Sequence, residues 1–245
     1  MILKFLLWMN PSELSMLIPG ASLTLVFSKW GIRAARRLEE LYGVPWILIP
    51  DIPVGPDAVS RFLETVGNVL NLPLSKIQEY IRNRKQRFQY TLQRISDYYY
   101  SEDIKKKVTI VSDENYARGY ADFLRRCLGA DIGQIIAADY REEEQSPEKE
   151  PLKTDPDTIR KSVVDSDSQF ILVSSLESRL GRELRIACMA VEYPLENQIV
   201  LGTTYIGING AIRLAEDYIS AVIRHNRKQQ QQAAKILFES DIFGI

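Results

Sequence analysis

Six short apolar runs punctuate the chain, at 23–27, 46–49, 108–111, 132–138, 170–173 and 186–191. They are nearly continuous rather than alternating, the pattern of strands buried on both faces. Between most of them the apolar positions recur at three and four residues, the helical spacing. Residues 31–42 carry Ile32, Ala35, Leu38 and Leu41 on one stripe, and Gly43-Val44-Pro45 ends it. Residues 56–70 open with Pro56 and Asp57, suited to a first turn, and repeat Val59, Phe62, Leu63 and Val66. Asp113 is placed to cap a helix over 114–128 with Ala117, Tyr120, Leu124 and Leu128 inward. A shorter helix is expected after Asp155-Pro156, and another, capped by Ser175, through about 183.

Strand–helix alternation of this kind predicts an α/β fold with parallel sheets flanked by helices. One long helical pattern interrupts it. From Ser75, with Gln78 completing a capping box, the stripe Ile77, Tyr80, Ile81, Phe88, Leu92 and Ile95 runs on toward the tyrosines at 98–100. It is expected to be a crossover helix between two units, 1–102 and 103–245. The charged, proline-broken stretch 141–157 predicts a solvated loop. Residues 227–245 predict a polar helical extension whose Ile236, Leu237, Phe238, Ile242 and Phe243 need covering by this chain or a neighbour.

Charge and composition narrow the partners. Thirty-one basic against 32 acidic side chains give no electrostatic reason to expect nucleic acid or an acidic membrane as partner. The apolar start, about nine residues before Asn10-Pro11, is too short to span a bilayer and lacks the basic and cleavage regions of a signal. It is read either as a packed segment or as the edge of something longer. Two cysteines, Cys127 and Cys188, make no disulfide framework and read as free thiols of a reducing cytoplasm.

Candidate chemistry is sparse. His225 is the single histidine, on a basic helical stretch where a surface role suffices, and neither cysteine has another ligand at metal spacing. Ser112 and Asp113 end one apolar run, and Ser174 and Ser175 end another, the positions where α/β sheets collect ligands. No nucleophile elbow accompanies them, and helix capping accounts for both pairs. Glu177, Glu192 and Glu196 are scattered acids without a pair spacing. Thr203, Thr204, Gly207 and Gly210 precede the strongly amphipathic helix over 211–223. The spacing matches neither a dinucleotide nor a P-loop fingerprint, and a tight turn with close packing is favoured over an anion held at the helix start.

The ordered set of segments is more telling than any one of them. "DSDSQFILVSSLESRLGRELRIACMAVEYPL" followed by "TTYIGINGAIRLAEDYISAVI" resembles the C-terminal region of the nitrogenase component 1 family. That family comprises molybdenum–iron protein subunits, cofactor-assembly scaffolds and dark-operative protochlorophyllide reductase subunits. "AARRLEELYGVPWILIPDIPVGPDAVSRFLETV" and "KKVTIVSDENYARGYADFLRRCLGAD" are similar to its upstream segments, so the resemblance runs from about residue 20 to 226. It implies two Rossmann-like domains, the last two of the family's three, more beta-type than alpha-type. The departures are the family's N-terminal cluster cysteines, for which this sequence has no match, and a cofactor-holding histidine, since 192–207 contains none. Ile208 stands where the family usually has an aromatic residue.

The resemblance further implies a cytoplasmic oxidoreductase component, inactive alone. Its partners would be a related component 1 subunit, in a homo- or hetero-oligomer, and an iron–sulfur reductase. No cofactor is expected in this chain itself; an iron–sulfur or iron–molybdenum-type cluster belongs to a full-length relative or a complex. Ser112, Asp113, Ser174, Ser175, Thr203, Thr204, Gly207 and Gly210 are then the candidate cleft-lining positions. The alternative is a non-catalytic module that binds a partner or carries a metallocluster or tetrapyrrole during assembly.

Overall fold

The computed structural model describes residues 20–137, 156–175, 177–192, 195, 202 and 204–243. The expected N-terminal packed segment, most of the solvated loop and most of the Tyr193-Pro194-Leu195 segment lie outside them. Strand β1 (Thr24–Val26) is followed by a short 3-10 turn and helix α1 (Ile32–Tyr42). Ala35 is buried under α1, whereas Leu41 is exposed, so the predicted stripe seals only at its centre. Gly43 ends the helix in the left-handed conformation, its N–H returning to the Glu39 carbonyl. Strand β2 (Trp46–Leu48) pairs with β1 in parallel, Thr24 opposite Trp46 and Val26 opposite Leu48. Helix α2 (Gly55–Val69) follows.

The expected single crossover helix is two helices, α3 (Leu74–Gln93) and α4 (Ser96–Ser101). Between them the Arg94 and Ile95 N–H groups bond three residues back, to Thr91 and Leu92, which tightens the backbone and ends the α-helical ladder. The Ser75–Gln78 box does not form at the helix start: Pro73 holds the N-cap position and makes no side-chain cap bond. A proline there spares an N–H that the helix could not satisfy.

The second sheet comprises β3 (Lys107–Ser112), β4 (Asp131–Ala137), β5 (Phe170–Ser174) and β6 (Ala187–Glu192), all parallel in the order β4-β3-β5-β6. Helices α5 (Glu114–Leu128), α6 (Pro156–Asp165) and α7 (Ser178–Leu184) connect these strands, and α8 (Gly207–Phe243) follows β6. Alternation along the strands splits the core across the two sheet faces. Val108, Ile110, Phe170 and Leu172 pack with Ala117, Tyr120 and Leu124 of α5 and with Leu214 and Tyr218 of α8. Val111, Ile171 and Val173 pack on the other face with Ile159, Val163 and Leu180. All four inward residues predicted for α5 are buried. The Tyr218 hydroxyl, deep in the first cluster, donates to the Ile104 carbonyl at 2.9 Å, so its burial leaves no polar atom stranded.

Candidate functional site

The connections from β3 run to β4 on one side and back to β5 on the other, so the strand order reverses between β3 and β5. Open parallel sheets bind ligands in the crevice outside the carboxyl ends of the strands at such a reversal. Ser112 and Asp113 stand at the end of β3, and Ser174 and Ser175 at the end of β5. The fold thus brings these four candidate residues to one edge. Ser112 is fully buried, and among the described residues its Oγ has no hydrogen-bond partner. The Ser174 Oγ bonds the Glu177 carboxylate.

Capping, the local role foreseen for the second residue of each pair, is realised differently. Asp113 occupies the N-cap position of α5 without a side-chain cap bond; its N–H instead donates to Glu192, 3.2 Å from Oε2. A carboxylate from β6 therefore lies at the positive end of α5. Ser175 does not cap α7, which begins at Ser178 with Glu177 in the N-cap position. Its carbonyl accepts from the Ser178 hydroxyl at 2.6 Å.

The edge is also joined to the first sheet. Asn115 Nδ2 donates to the Phe27 carbonyl, just past β1, at 2.6 Å, and the Ile52 N–H donates to the Asn115 carbonyl at 3.2 Å. Lys29 lies 3.8 Å from Glu114. The carboxyl end of β1 is thereby tied to the start of α5 beside the switch point.

Three tyrosines continue from this edge. Tyr116 and Tyr120 have ring centroids 6.1 Å apart, and Tyr120 and Tyr205 stand edge to face at 6.2 Å. The Tyr205 hydroxyl donates to Asp217 at 2.9 Å, and Arg213 Nε donates to the same carboxylate oxygen at 2.8 Å. Burial, followed by the charges of Asp113 and Glu192, raises the Tyr116 phenol above its ordinary range. Burial raises Tyr120 and Tyr205 as well, so all three remain neutral hydroxyls at physiological pH.

Of the turn residues, Thr203 lies outside the described residues. Thr204 accepts the Ile206 N–H at 3.1 Å, which shapes the turn and leaves the residue exposed. Gly207 sits at φ +80° with its N–H on the Pro53 carbonyl at 2.7 Å, making an isolated parallel bridge to Val54. Gly210 packs so closely over the turn that a Cβ would lie 2.4 Å from the Tyr205 carbonyl carbon. Gly207 docks the start of α8 onto the loop before α2, and Gly210 lets the preceding turn lie directly against the helix, the packing role favoured from sequence.

Two cavities lie beside the first sheet rather than at the switch point. An apolar groove of about 510 Å³ runs between α2 and α3 at the foot of α8. A smaller one of about 210 Å³ holds Asp51, Arg61 and Asp122. Neither is lined by the four strand-end residues. Cys127 and Cys188 are half-buried and lie against opposite core clusters, one on each face of the second sheet. Burial pushes the Cys127 thiol up to about 11 and raises Cys188 too. Among the described residues no group of three His, Cys, Asp or Glu side chains could hold a metal ion, so they do not supply an iron–sulfur ligand set. No described helix is long and apolar enough to cross a membrane.

Residues 13–223 match the family model for nitrogenase component 1 type oxidoreductases. The chain belongs to that family. It is 25% identical over 217 residues to one of the subunits of light-independent protochlorophyllide reductase from Chloroflexus aggregans, a match covering 82% of this chain and 39% of that protein. Among solved structures, nitrogenase Cp1 at pH 6.5 superposes with a TM-score of 0.62 at 16% identity, covering 84% of this chain and 46% of the other. The same protein at pH 5 gives 0.57 at 13% identity, with 83% and 47% covered. The chain therefore spans less than half the length of each of these relatives, and the likeness to the solved structures is one of fold. The family expectation stands, and with it the parallel sheets flanked by helices.

Several residues prominent in the structure are inconspicuous in the sequence. There Glu192 is one of three scattered acids, and Tyr116, Tyr120 and Tyr205 carry only core or turn signals. The available signal is positional: Glu192 follows an apolar run directly, as Ser112 and Ser174 do.

Proposed function

We propose that the chain works as the two-sheet part of a component 1-type oxidoreductase subunit, inactive by itself and active within an oligomer. In this reading residues 1–102 and 103–245 are two Rossmann-like units. Electrons come from an iron–sulfur reductase partner, and cluster ligands come from polypeptide other than the described residues. The work is cytoplasmic. The observation that carries the reading is the family match across 13–223, and the tie between the carboxyl end of β1 and the switch-point edge supports it.

What the residues of this chain contribute is orientation. Glu192, held by the Asp113 N–H, presents a fixed negative charge. Tyr116 and Tyr120 offer neutral hydroxyls, and the buried Ser112 Oγ has hydrogen-bonding capacity to spare. Thr204, Gly207 and Gly210 shape the neighbouring turn. A ligand seated here is the cluster or tetrapyrrole-like group of a complete complex; the relative from Chloroflexus aggregans is named for protochlorophyllide.

A second reading is an assembly module that binds a partner or carries a cluster without catalysis. The observation favouring it is the tail of the chain, where the exposed, glutamine-bearing stretch 227–235 leads in sequence to Ile236, Leu237, Phe238, Ile242 and Phe243, apolar residues that call for a partner. Anaerobic native mass spectrometry of the protein from its own host separates the two. A heteromer with iron or pigment that accepts electrons from an iron–sulfur reductase supports the oxidoreductase subunit. A loaded species that accepts none supports the carrier, and a metal-free, pigment-free chain alone overturns the first reading.

A further inference from the structure

The row of tyrosines beside the switch point leads from a buried edge to the surface. Tyr116 stands where the charges of Asp113 and Glu192, at the ends of β3 and β6, act on its phenol. Tyr120, one turn further along α5, is 2% exposed, and its ring lies between the others, 6.1 Å from Tyr116 and 6.2 Å from Tyr205 by centroid. Tyr205 itself is half-buried. Among the described residues, Tyr205 alone of the three gives its hydroxyl to a carboxylate, 2.9 Å from Asp217 Oδ2. Arg213 Nε, one turn away on α8, donates to the same oxygen at 2.8 Å and holds that carboxylate in place. The Asp217 side chain is 25% exposed, so water reaches it. Core packing explains the rings but not the choice of acceptor. Tyr218 satisfies its buried hydroxyl with a backbone carbonyl, a group that takes up no proton.

A neutral phenol is a poor one-electron donor, because the radical cation it would leave is a very strong acid with nowhere to send its proton. A carboxylate in hydrogen-bond contact removes that obstacle: the proton crosses as the electron leaves, and a neutral radical results. We propose that Tyr205 is a redox-active tyrosine that discharges a one-electron oxidant at the switch-point edge through the adjacent rings of Tyr120 and Tyr116. The inference rests on the reading above in one respect, that a redox group sits at that edge. The oxidant is then a cluster or tetrapyrrole left one electron short by dioxygen or peroxide. Tyr205 gives up one electron to it, the O–H bond breaks, and the proton goes to Asp217 Oδ2. A neutral tyrosyl radical and a protonated Asp217 remain. At the half-exposed surface a thiol or ascorbate returns a hydrogen atom to the Tyr205 oxygen, and Asp217 releases its proton to water. The protein ends unchanged, and the oxidising equivalent has moved from the edge to a small reductant.

An attached photo-oxidant tests this without any native cofactor. In a full-length chain carrying Cys127→Ala and Cys188→Ala, Asp113→Cys takes a covalent ruthenium–bipyridine label at the edge. A light flash with a sacrificial electron acceptor then generates the oxidised metal there. Transient absorption follows the tyrosyl radical, and a nitroso spin trap with peptide mass spectrometry locates it. The radical is expected on Tyr205, forming more slowly in heavy water because the proton moves with the electron. Tyr205→Phe should abolish it. Asp217→Asn, which keeps a hydrogen-bond acceptor but no proton acceptor, should lose most of the yield and the solvent isotope effect. Tyr120→Leu should slow radical formation severalfold, and Tyr120→Phe, which keeps the ring, should restore the rate. Thermal melting of each variant identifies any that fail to fold, and Asp217→Asn, being partly exposed, runs the least such risk. A radical trapped on Trp30 or on the exposed Tyr98 or Tyr100 in place of Tyr205 overturns the proposal. So does a yield indifferent to Tyr205→Phe or to Asp217→Asn. Because the oxidant is attached, none of these outcomes bears on whether the chain is part of an oxidoreductase.

Discussion

Gly210 offers the sharpest test of the turn in front of α8. In an ordinary helix interior, alanine is more stable than glycine by ~1 kcal/mol, so Gly210→Ala should help if the position were merely helical. Here a Cβ would fall 2.4 Å from the Tyr205 carbonyl carbon, 2.7 Å from the Thr204 oxygen and 2.9 Å from the Tyr205 Cα. All three are backbone atoms, so no rotamer change relieves them. The turn itself must move, and its next residues lead into Gly207, whose N–H holds the Pro53 carbonyl. Overpacking of this kind costs about 1–3 kcal/mol and can exceed that when backbone is displaced. The clash outweighs the propensity gain, and Gly210→Ala is expected to destabilise by about 1–2 kcal/mol. For a chain of this size that lowers Tm by about 2–8 °C. Gly210→Val, with a branched Cβ, should cost more. Gly202→Ala is the control: a Cβ there meets nothing within 4 Å, and its effect should stay within about 0.5 kcal/mol. Differential scanning calorimetry with urea titration would measure all three. A Gly210→Ala protein as stable as wild type, or more so, would refute the close-packing argument.

Other positions give shorter tests. Ser112→Ala removes a buried hydroxyl with no partner among the described residues and should leave stability unchanged or raise it by about 1 kcal/mol in urea titration; a clear loss would mean that the hydroxyl is satisfied in solution. Cys127, pushed up to about 11 by burial, should carry about a hundredfold less thiolate at pH 8 than an ordinary thiol and alkylate correspondingly slowly with iodoacetamide; labelling at the rate of a free cysteine would contradict its placement. Asp122 is raised by burial but lowered more by hydrogen bonds from Arg126 and Arg61, for a net fall. Its contribution is therefore present above the ordinary carboxylate pKa and lost as pH drops through the lowered one. Asp122→Asn should cost about 1 kcal/mol or less at pH 7, given its partial exposure, and a difference from wild type that persists undiminished at strongly acid pH would rule this out.

The parts of the fold that were legible are those governed by local pattern. The six apolar runs became the six described strands with no end shifted by more than one residue, because a strand buried on both faces leaves a continuous apolar signature. Gly43 ends α1 because its left-handed conformation is readable from residue type. The failures are equally physical. The stripe from Ile77 to Ile95 keeps helical spacing across Arg94, so periodicity cannot register the point where two hydrogen bonds shorten and the helix divides. Ser75 and Ser175 have capping chemistry, but the chain places its helix starts at Leu74 and Ser178, and side-chain type alone does not choose among neighbouring starts.

The candidate site was legible as a place and not as chemistry. Serines at the ends of apolar runs mark the carboxyl edge of a parallel sheet, and the strand order puts Ser112 and Ser174 together on it. The carboxylate beside them depends on a register that sequence does not display. Val173 pairs with Ala190, yet Ser174 pairs with Glu192, so Val191 is an extra residue on β6. Without that bulge Val191, rather than Glu192, would stand opposite Ser174. With it, Glu192 reaches the Asp113 N–H, 79 residues away in sequence, and supplies negative charge to the start of α5. Side-chain capping by Asp113 would have placed that charge locally; the bulge supplies it from another strand. The start of α5 is thereby tied both to β6, through Glu192, and to the chain after β1, through Asn115. A change in the register of β6 would accordingly be felt at the junction of the two sheets, even though none of its strand residues belongs to the first.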